Sequence, residues 1–158
     1  MKKIGIAISK IVLIVVFGLF MLVQLQKPKK SNANFEEVET IVMQELEEYG
    51  LEKQDNLKIK STFSLDPSSC TNIAYYKAED PMDVREVLIV QFDKEAFAST
   101  IEKSAQKRVL EQTNAFEGYG PEQVKLLKKS KIYSQVNYAI YVTSENSGDV
   151  LKVFKAAL

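Results

Sequence analysis

The residues best suited to chemistry lie in the segment NAFEGYGPEQVKLLKK, residues 114–129. Glu117 offers a carboxylate between Phe116 and Tyr119, and two glycines allow the backbone to bend there. The segment lacks the Gly-Lys-Ser/Thr ending and the preceding strand of a phosphate-binding loop. The sequence leaves two roles open for Glu117. Its carboxylate caps a short helix that starts near Pro121, or it belongs to a site.

Glu117 also has two possible acidic partners, Glu79 and Asp80, in the stretch EDPMDVR. Hydrolysis of a glycan needs two carboxyl groups and no histidine, so a glycan-cleaving enzyme is one hypothesis. The simpler expectation is that Phe116, Glu117 and Tyr119 hold the junction between two helices rather than perform chemistry. These three residues are also the candidate binding residues.

The composition excludes several other kinds of site. The chain contains no histidine, which excludes histidine-based triads and most zinc sites. Cys70 is the single cysteine, so no disulfide can form within the chain, and its type favours packing over nucleophilic catalysis. We expect no metal site and no cofactor, and the missing residue types argue against enzymatic activity, with the carboxylate-based glycan hydrolase as the alternative that needs none of them.

The charge distribution argues against binding to nucleic acid. Six of the 21 basic residues precede Ser31, where no acidic residue lies. The remaining 15 basic residues face all 21 acidic ones, so the body of the chain is acidic. A domain of that sign lacks the basic surface that neutralises phosphates.

The apolar run IGIAISKIVLIVVFGLFMLVQLQ, residues 4–26, predicts a membrane anchor. It exceeds the roughly 20 residues that a transmembrane helix needs. A cleaved signal peptide is the alternative, since Ser31 and Ala33 provide small residues after the run. Lysines flank both sides equally, but the short N-terminal tail favours a cytoplasmic N-terminus. The predicted location is therefore the cell membrane, single-pass, with the following domain outside the cytoplasm.

The chain divides into an anchor (residues 1–26), a polar tether (27–33) and one domain (34–158). Asn34 with Glu37 resembles a capping box, and apolar periodicity predicts a helix that ends at Gly50. Further elements are predicted from propensity and turn residues. They are an uncertain strand or loop at 57–65, strands at 72–78 and 86–92, a helix capped by Asp93, a short helix from Pro121, a hairpin around Val136 and Asn137, and a helix at 147–158.

This order predicts an α+β fold. Its antiparallel sheet has about four strands in two hairpins, with helices packed on one face. A single transmembrane helix precedes it.

The stretch from VLEQTNAFEGYGPEQ to the last helix, with EVLIVQFDKEAF before it, resembles an uncharacterised family of Firmicutes envelope proteins, domain of unknown function 4358. The resemblance covers about residues 67–158 and rests most on the Phe-Glu-x-Tyr pattern that begins at Phe116. It implies an anchored protein with a strand, a long helix, a hairpin and a final helix. The sequence departs at Val136, where the family often has glycine. The resemblance implies no activity, substrate or cofactor.

Together these features favour a membrane-tethered, noncatalytic domain that binds an envelope protein or another envelope component. Tyrosines suit such a contact surface, because the ring packs against apolar groups while the hydroxyl stays hydrogen-bonded in a hydrated interface. The candidates are Tyr75, Tyr76, Tyr119, Tyr133, Tyr138 and Tyr141, although ordinary sheet and core positions are the simpler explanation for most of them. A structural part of an envelope assembly, formed by self-association, is the alternative.

Overall fold

The computed structural model describes residues 12–18 and 30–158. Residues 12–18 are helical and exposed, and the rest of the predicted anchor lies outside the described residues. Within these two ranges, no helix is long and apolar enough to cross a membrane. The anchor, its orientation and the division into anchor, tether and domain stay predictions.

Residues 30–158 form an α+β domain with one antiparallel sheet. The helices are α1 (Phe35–Gln44), α2 (Asn56–Phe63), α3 (Ala96–Phe116), α4 (Pro121–Leu127) and α5 (Ser147–Ala156). The strands are β1 (Glu52–Lys53), β2 (Asn72–Lys77), β3 (Glu86–Gln91), β4 (Lys131–Gln135) and β5 (Tyr138–Thr143). Short 3-10 turns lie at Glu47–Tyr49 and Pro67–Ser69.

The sheet has the order β1-β2-β3-β5-β4, with every neighbouring pair antiparallel. Both predicted hairpins, β2–β3 and β4–β5, are confirmed, and they join through the central pair β3–β5. The predicted count of about four strands is one short. The missed strand, β1, is a two-residue edge strand paired with β2, too short to give a periodic signal.

Helices cover both faces of the sheet, so the expectation of helices on one face is wrong. On one face, Leu88 and Val90 of β3 pack with residues of α2 and α3. On the other, Val87 and Ile89 pack with residues of α1 and α5. Because successive strand residues point to opposite faces, two covered faces require a continuously apolar strand. The run VLIV in β3 has this character.

The sheet has two distinct ends, which matter for the site. At the upper end, the β2–β3 loop lies beside the pair Glu86↔Thr143. At the lower end, the β4–β5 turn lies beside the pair Gln91↔Tyr138. Helix α3 begins just after β3 at the lower end, and its Gln112 reaches Glu86 at the upper end. The helix therefore carries the chain from one end of the domain to the other.

Residues 57–65, expected as a strand or loop, form most of helix α2. Asp55 caps this helix by accepting a hydrogen bond from the Lys58 amide at 2.7 Å. Ile59 and Phe63, four residues apart, point into the core. A cap followed by only two core-facing apolar residues is a weak sequence pattern for a helix. The polar residues between Ile59 and Phe63 made this pattern harder to distinguish from a strand or loop.

The predicted caps of two longer helices have different outcomes. Asn34 caps α1, as predicted, but it accepts its hydrogen bond from the Glu36 amide, at 2.8 Å, and not from the Glu37 amide that a capping box would use. The helix then ends at Gln44, earlier than predicted, while Gly50 closes the following 3-10 turn at φ 56°. Asp93 does not cap α3, whose first residue is Ala96. Its carboxylate instead lies 3.5 Å from the Lys30 ammonium.

Val136 occupies a turn position that ordinarily belongs to glycine. It lies between the paired residues Gln135 and Tyr138 at φ 57°. A β-branched residue in the left-handed region is a conformational outlier. A glycine at this position would fit this backbone without that cost.

Candidate functional site

The candidate site lies where α3 ends and α4 begins, at the upper end of the domain. Phe116, the last residue of α3, is buried with Val84, Leu126 and Leu127 in a small apolar cluster. The expected core position of Phe116 is confirmed. The β2–β3 loop contributes Val84 to this cluster, so loop and junction are packed together.

Two glycines make the bend between the helices possible. Gly118 has φ 93°, a conformation that residues with side chains rarely adopt. Gly120 lies against the Phe116 ring, and a Cβ atom there would stand 2.6 Å from Phe116 Cδ1. Helix α4 then begins at Pro121, whose fixed φ suits the first helical position. The bend thus depends on glycine for two separate reasons.

The bend leaves Glu117 and Tyr119 exposed to solvent. Tyr119 is 61% exposed, and its ring centroid lies 5.5 Å from that of Phe116. Tyr119 therefore covers only part of the bend. No side chain caps α4, so the expected capping role of Glu117 is wrong. Glu117 has no side-chain hydrogen bond or ion pair to residues 30–158. We call Glu117, Tyr119 and the exposed Pro121 the junction surface.

A buried polar cluster lies next to this junction and was not predicted. Glu86 is 1% exposed, yet its carboxylate accepts five hydrogen bonds. Arg108 donates two of them at 3.0 Å each, Tyr75 donates one at 2.6 Å and Tyr141 one at 2.8 Å. The Gln112 amide, oriented to fit its neighbours, donates the fifth at 3.1 Å. We call these five residues the Glu86 cluster.

The cluster extends toward the surface through two hydroxyl groups. Thr143 Oγ1 donates to the Tyr141 hydroxyl at 3.0 Å, and Ser130 Oγ lies 2.7 Å from Thr143 Oγ1. In residues 30–158 no buried side-chain oxygen or nitrogen lacks a hydrogen-bond partner. The network therefore has no free group to offer a substrate, and its saturation indicates a structural role.

The electrostatics of the cluster follow from its burial. Burial, then the charge of Glu86, raises the pKa of Tyr75 and of Tyr141 well above the ordinary tyrosine value of 10.0. Burial lowers the pKa of Arg108, but hydrogen bonding to Glu86 outweighs it, so this pKa is raised overall. The two phenols therefore stay neutral at neutral pH, and the Arg108 guanidinium stays charged.

A weak sequence signal for this cluster existed. Gln112 stands in the apolar stripe of α3, and Arg108 precedes it by one helical turn. A polar residue on a core-facing stripe indicates a buried partner, because an unpaired buried polar group is costly. The sequence does not show that Glu86, across the sheet, supplies it.

Most of the tyrosines proposed as a contact surface belong to the core. Tyr75, Tyr138 and Tyr141 are fully buried. Tyr76 and Tyr133 are half-buried and held in place, Tyr76 by a hydrogen bond to Glu39 and Tyr133 beneath the Lys155 ammonium. Of the six, only Tyr119 is exposed. The hypothesis of a broad tyrosine contact surface is wrong, and Tyr119 is the one of these six tyrosines that is available for contact.

The clefts described in residues 30–158 do not bring the other chemistry-bearing residues together with Glu117. Four open clefts are described within residues 30–158, and none is lined by Glu117, Glu79 or Asp80. Asp80 accepts a hydrogen bond from the Met82 amide at 2.8 Å, as turn aspartates do. Cys70 lines one cleft, but burial raises the pKa of its thiol to about 11, which disfavours the nucleophilic thiolate.

Comparison with protein families gives one decisive match. A model described as Domain of unknown function (DUF4358) matches residues 44–144, more than half of the chain. The chain belongs to the DUF4358 family. Comparisons with curated proteins and with solved structures return no match.

The DUF4358 match includes both regions of interest. It contains the Glu86 cluster and the whole junction from Phe116 to α4, and it ends just after β5. Helix α1 and helix α5 lie almost entirely outside it, although they pack together on one face of the sheet. The match thus starts earlier and ends earlier than the resemblance deduced from sequence.

Proposed function

We propose that this DUF4358 chain is a noncatalytic interaction domain, anchored in the cell membrane through residues 4–26 and exposed outside the cytoplasm. Its junction surface binds another envelope protein. The single observation that carries this proposal is the exposed pair at the bend. Glu117 and Tyr119 are placed by a defined backbone geometry, yet neither contributes much to the interior.

The chemistry of the junction surface indicates what the partner offers. Tyr119 is an aromatic side chain 61% exposed, and tyrosines are enriched where proteins bind one another. Glu117 has no cationic partner within residues 30–158, so an arginine or lysine of the partner can pair with it. We therefore propose a partner that presents an apolar recess beside a basic side chain.

A second copy of the chain is a less suitable occupant. In a two-fold symmetric contact, the same patch faces itself. Glu117, which has no ion pair within residues 30–158, would then face a patch that offers it a second Glu117 and the exposed Glu122, which already lies 3.7 Å from the Lys125 ammonium. Like charges at an interface are unfavourable. Self-association into an envelope assembly is therefore an outcome that the experiment must distinguish.

The test is photo-crosslinking in living cells, with benzoylphenylalanine at position 119. The control position is Leu110, an apolar residue of α3 with 59% exposure. The proposal predicts one protein adduct from position 119 that is absent from position 110 and reduced by Glu117→Lys. The captured protein, once purified, should bind the full chain at least tenfold more weakly after Tyr119→Ala.

Two results would contradict the proposal. An adduct of twice the chain's mass from position 119 would indicate self-association instead. Equal adducts from positions 119 and 110 would show that the junction surface has no special role in contact.

A further inference from the structure

Residues 30–33, which precede the Asn34 cap of α1, are bound to the lower end of the domain rather than extended away from it. The Ser31 amide donates to Asn137 Oδ1 at 2.9 Å, and Asn137 Nδ2 donates to the Ser31 carbonyl at 3.1 Å. This reciprocal pair resembles the bonding between two strands. We call residues 30–33 the strap.

Further contacts hold the strap on both sides of the Asn137 pair. Ser31 Oγ donates to the Leu158 carbonyl, just after α5, at 2.8 Å. The Tyr138 hydroxyl donates to the Ala33 carbonyl at 2.9 Å. The strap is thus bound to the β4–β5 turn, to β5 and to the end of α5, three places that are far from it in sequence.

The binding partner in the turn is itself held firmly. Asn137 is 7% exposed, and its carbonyl accepts a hydrogen bond from the Phe92 amide at 2.8 Å. The salt bridge of Lys30 with Asp93 is exposed and adds little. Because the Asn137 amide is buried and fixed, the strap has a rigid receptor and not a mobile loop beneath it.

We infer that the strap makes the chain enter the domain at its lower end, so that the junction surface, at the upper end, lies away from the membrane. This inference rests on the anchor of the proposed function. The strap joins the lower end, where α3 begins, whereas the junction surface lies at the upper end. Helix α3 has 21 residues, so at 1.5 Å per residue it separates the two by about 30 Å.

The orientation restricts the kind of partner. A protein confined to the bilayer and its headgroups cannot reach a surface about 30 Å from the strap, the length that α3 provides. The partner must therefore be a soluble protein or one with a large domain outside the membrane. A flexible tether of the same length would impose no such restriction.

The first experiment tests the strap without reference to a membrane. The hydrogen-exchange rate of the Ser31 amide is measured by NMR in detergent micelles, both in the unchanged full chain and in its Asn137→Ala variant. Losing the acceptor should speed the exchange about tenfold, the equivalent of one protein hydrogen bond. Asn114→Ala, a change of an exposed asparagine near the end of α3, is the control and should leave the rate unchanged. Equal Ser31 rates in the full chain and in Asn137→Ala would overturn the strap.

The second experiment tests the orientation with the strap intact. The full chain with Cys70→Ser is labelled with a fluorophore at Lys94→Cys or Glu122→Cys and reconstituted in phosphatidylglycerol–phosphatidylethanolamine vesicles that carry headgroup quenchers. Lys94 is exposed at the lower end and Glu122 is exposed beside the junction. We expect the label at position 94 to be quenched at least threefold more than the label at position 122.

The outcomes separate the two proposals. If the chain does not float with the vesicles, the anchor is wrong, and the membrane-distal orientation falls with it. If the chain floats but both labels are quenched equally, the orientation alone is wrong and the anchor stands.

Discussion

The Glu86 cluster and the junction surface both contain a carboxylate and a tyrosine. These groups are buried and hydrogen-bonded in the cluster, whereas they are exposed to solvent at the junction surface. In the cluster, Glu86 is enclosed and receives five hydrogen bonds from four side chains. At the junction, Glu117 is exposed and Tyr119 contacts chiefly the ring of Phe116. The difference indicates that a charged residue whose hydrogen bonds are all formed within the domain stabilises the fold. A charged residue with none is available to another molecule.

Removing Arg108 should give the largest loss of stability. Arg108→Ala leaves the Glu86 carboxylate buried without its cation, and breaking a buried pair in this way costs about 3–5 kcal/mol. Urea unfolding of the full chain in detergent measures the change. Lys107→Ala removes the neighbouring exposed pair with Glu111 and should cost less than about 0.5 kcal/mol. Similar losses of unfolding free energy in both variants would show that the Glu86 cluster does not contribute specially to stability.

Phe116 and Tyr119 divide the junction into a structural and an exposed part. Phe116→Ala empties a position that is 7% exposed and should cost about 3 kcal/mol of unfolding free energy. Tyr119→Ala should cost no more than about 1 kcal/mol, because most of its ring is already in water. Unfolding curves of the two variants decide this. A larger loss for Tyr119→Ala would place the tyrosine among the structural residues.

The comparison also explains how far the sequence could predict the molecule. Local signals were sufficient for both hairpins and for the helix-ending bend, because apolar runs, glycines and Pro121 act within a few residues. They were insufficient for the Glu86 cluster, whose members come from three strands and one helix. They also misplaced the helices on one face, although the unbroken VLIV run of β3 already required cover on both. For the site, the sequence drew attention to Phe116, Glu117 and Tyr119, but of the two roles it left open for Glu117, the helix cap is not formed.

Alkaline pH should weaken the fold through the buried phenols. The folded-state pKa values of Tyr75 and Tyr141 are raised above 10.0, so their contribution is complete below pH 10 and is lost as the pH rises beyond it. Each phenol should contribute a slope of about 1.4 kcal/mol per pH unit above pH 10. Unfolding free energies of the full chain between pH 8 and pH 11 give the slope. Tyr75→Phe, which removes one of the two buried phenols, should make this slope shallower.

The turn at Val136 offers a smaller change in the opposite direction. Val136→Gly relieves a left-handed conformation and should stabilise the full chain by about 1 kcal/mol, less the added freedom of the unfolded chain. Thermal unfolding measures the gain. Val136→Ala, which keeps a Cβ atom, should gain less. Lower stability for the glycine variant would mean that the Val136 side chain contributes more by packing than its backbone costs.

The most direct test of the central claim measures stability and contact together in Glu117→Gln. The variant is nearly isosteric and removes only the charge. If the junction surface is a binding site, the unfolding free energy should stay within about 0.5 kcal/mol of the original, the range of neutral surface changes. The crosslinked adduct from position 119 should fall at least tenfold. A loss of stability above about 1 kcal/mol with an unchanged adduct would contradict the claim and show that Glu117 has a structural role.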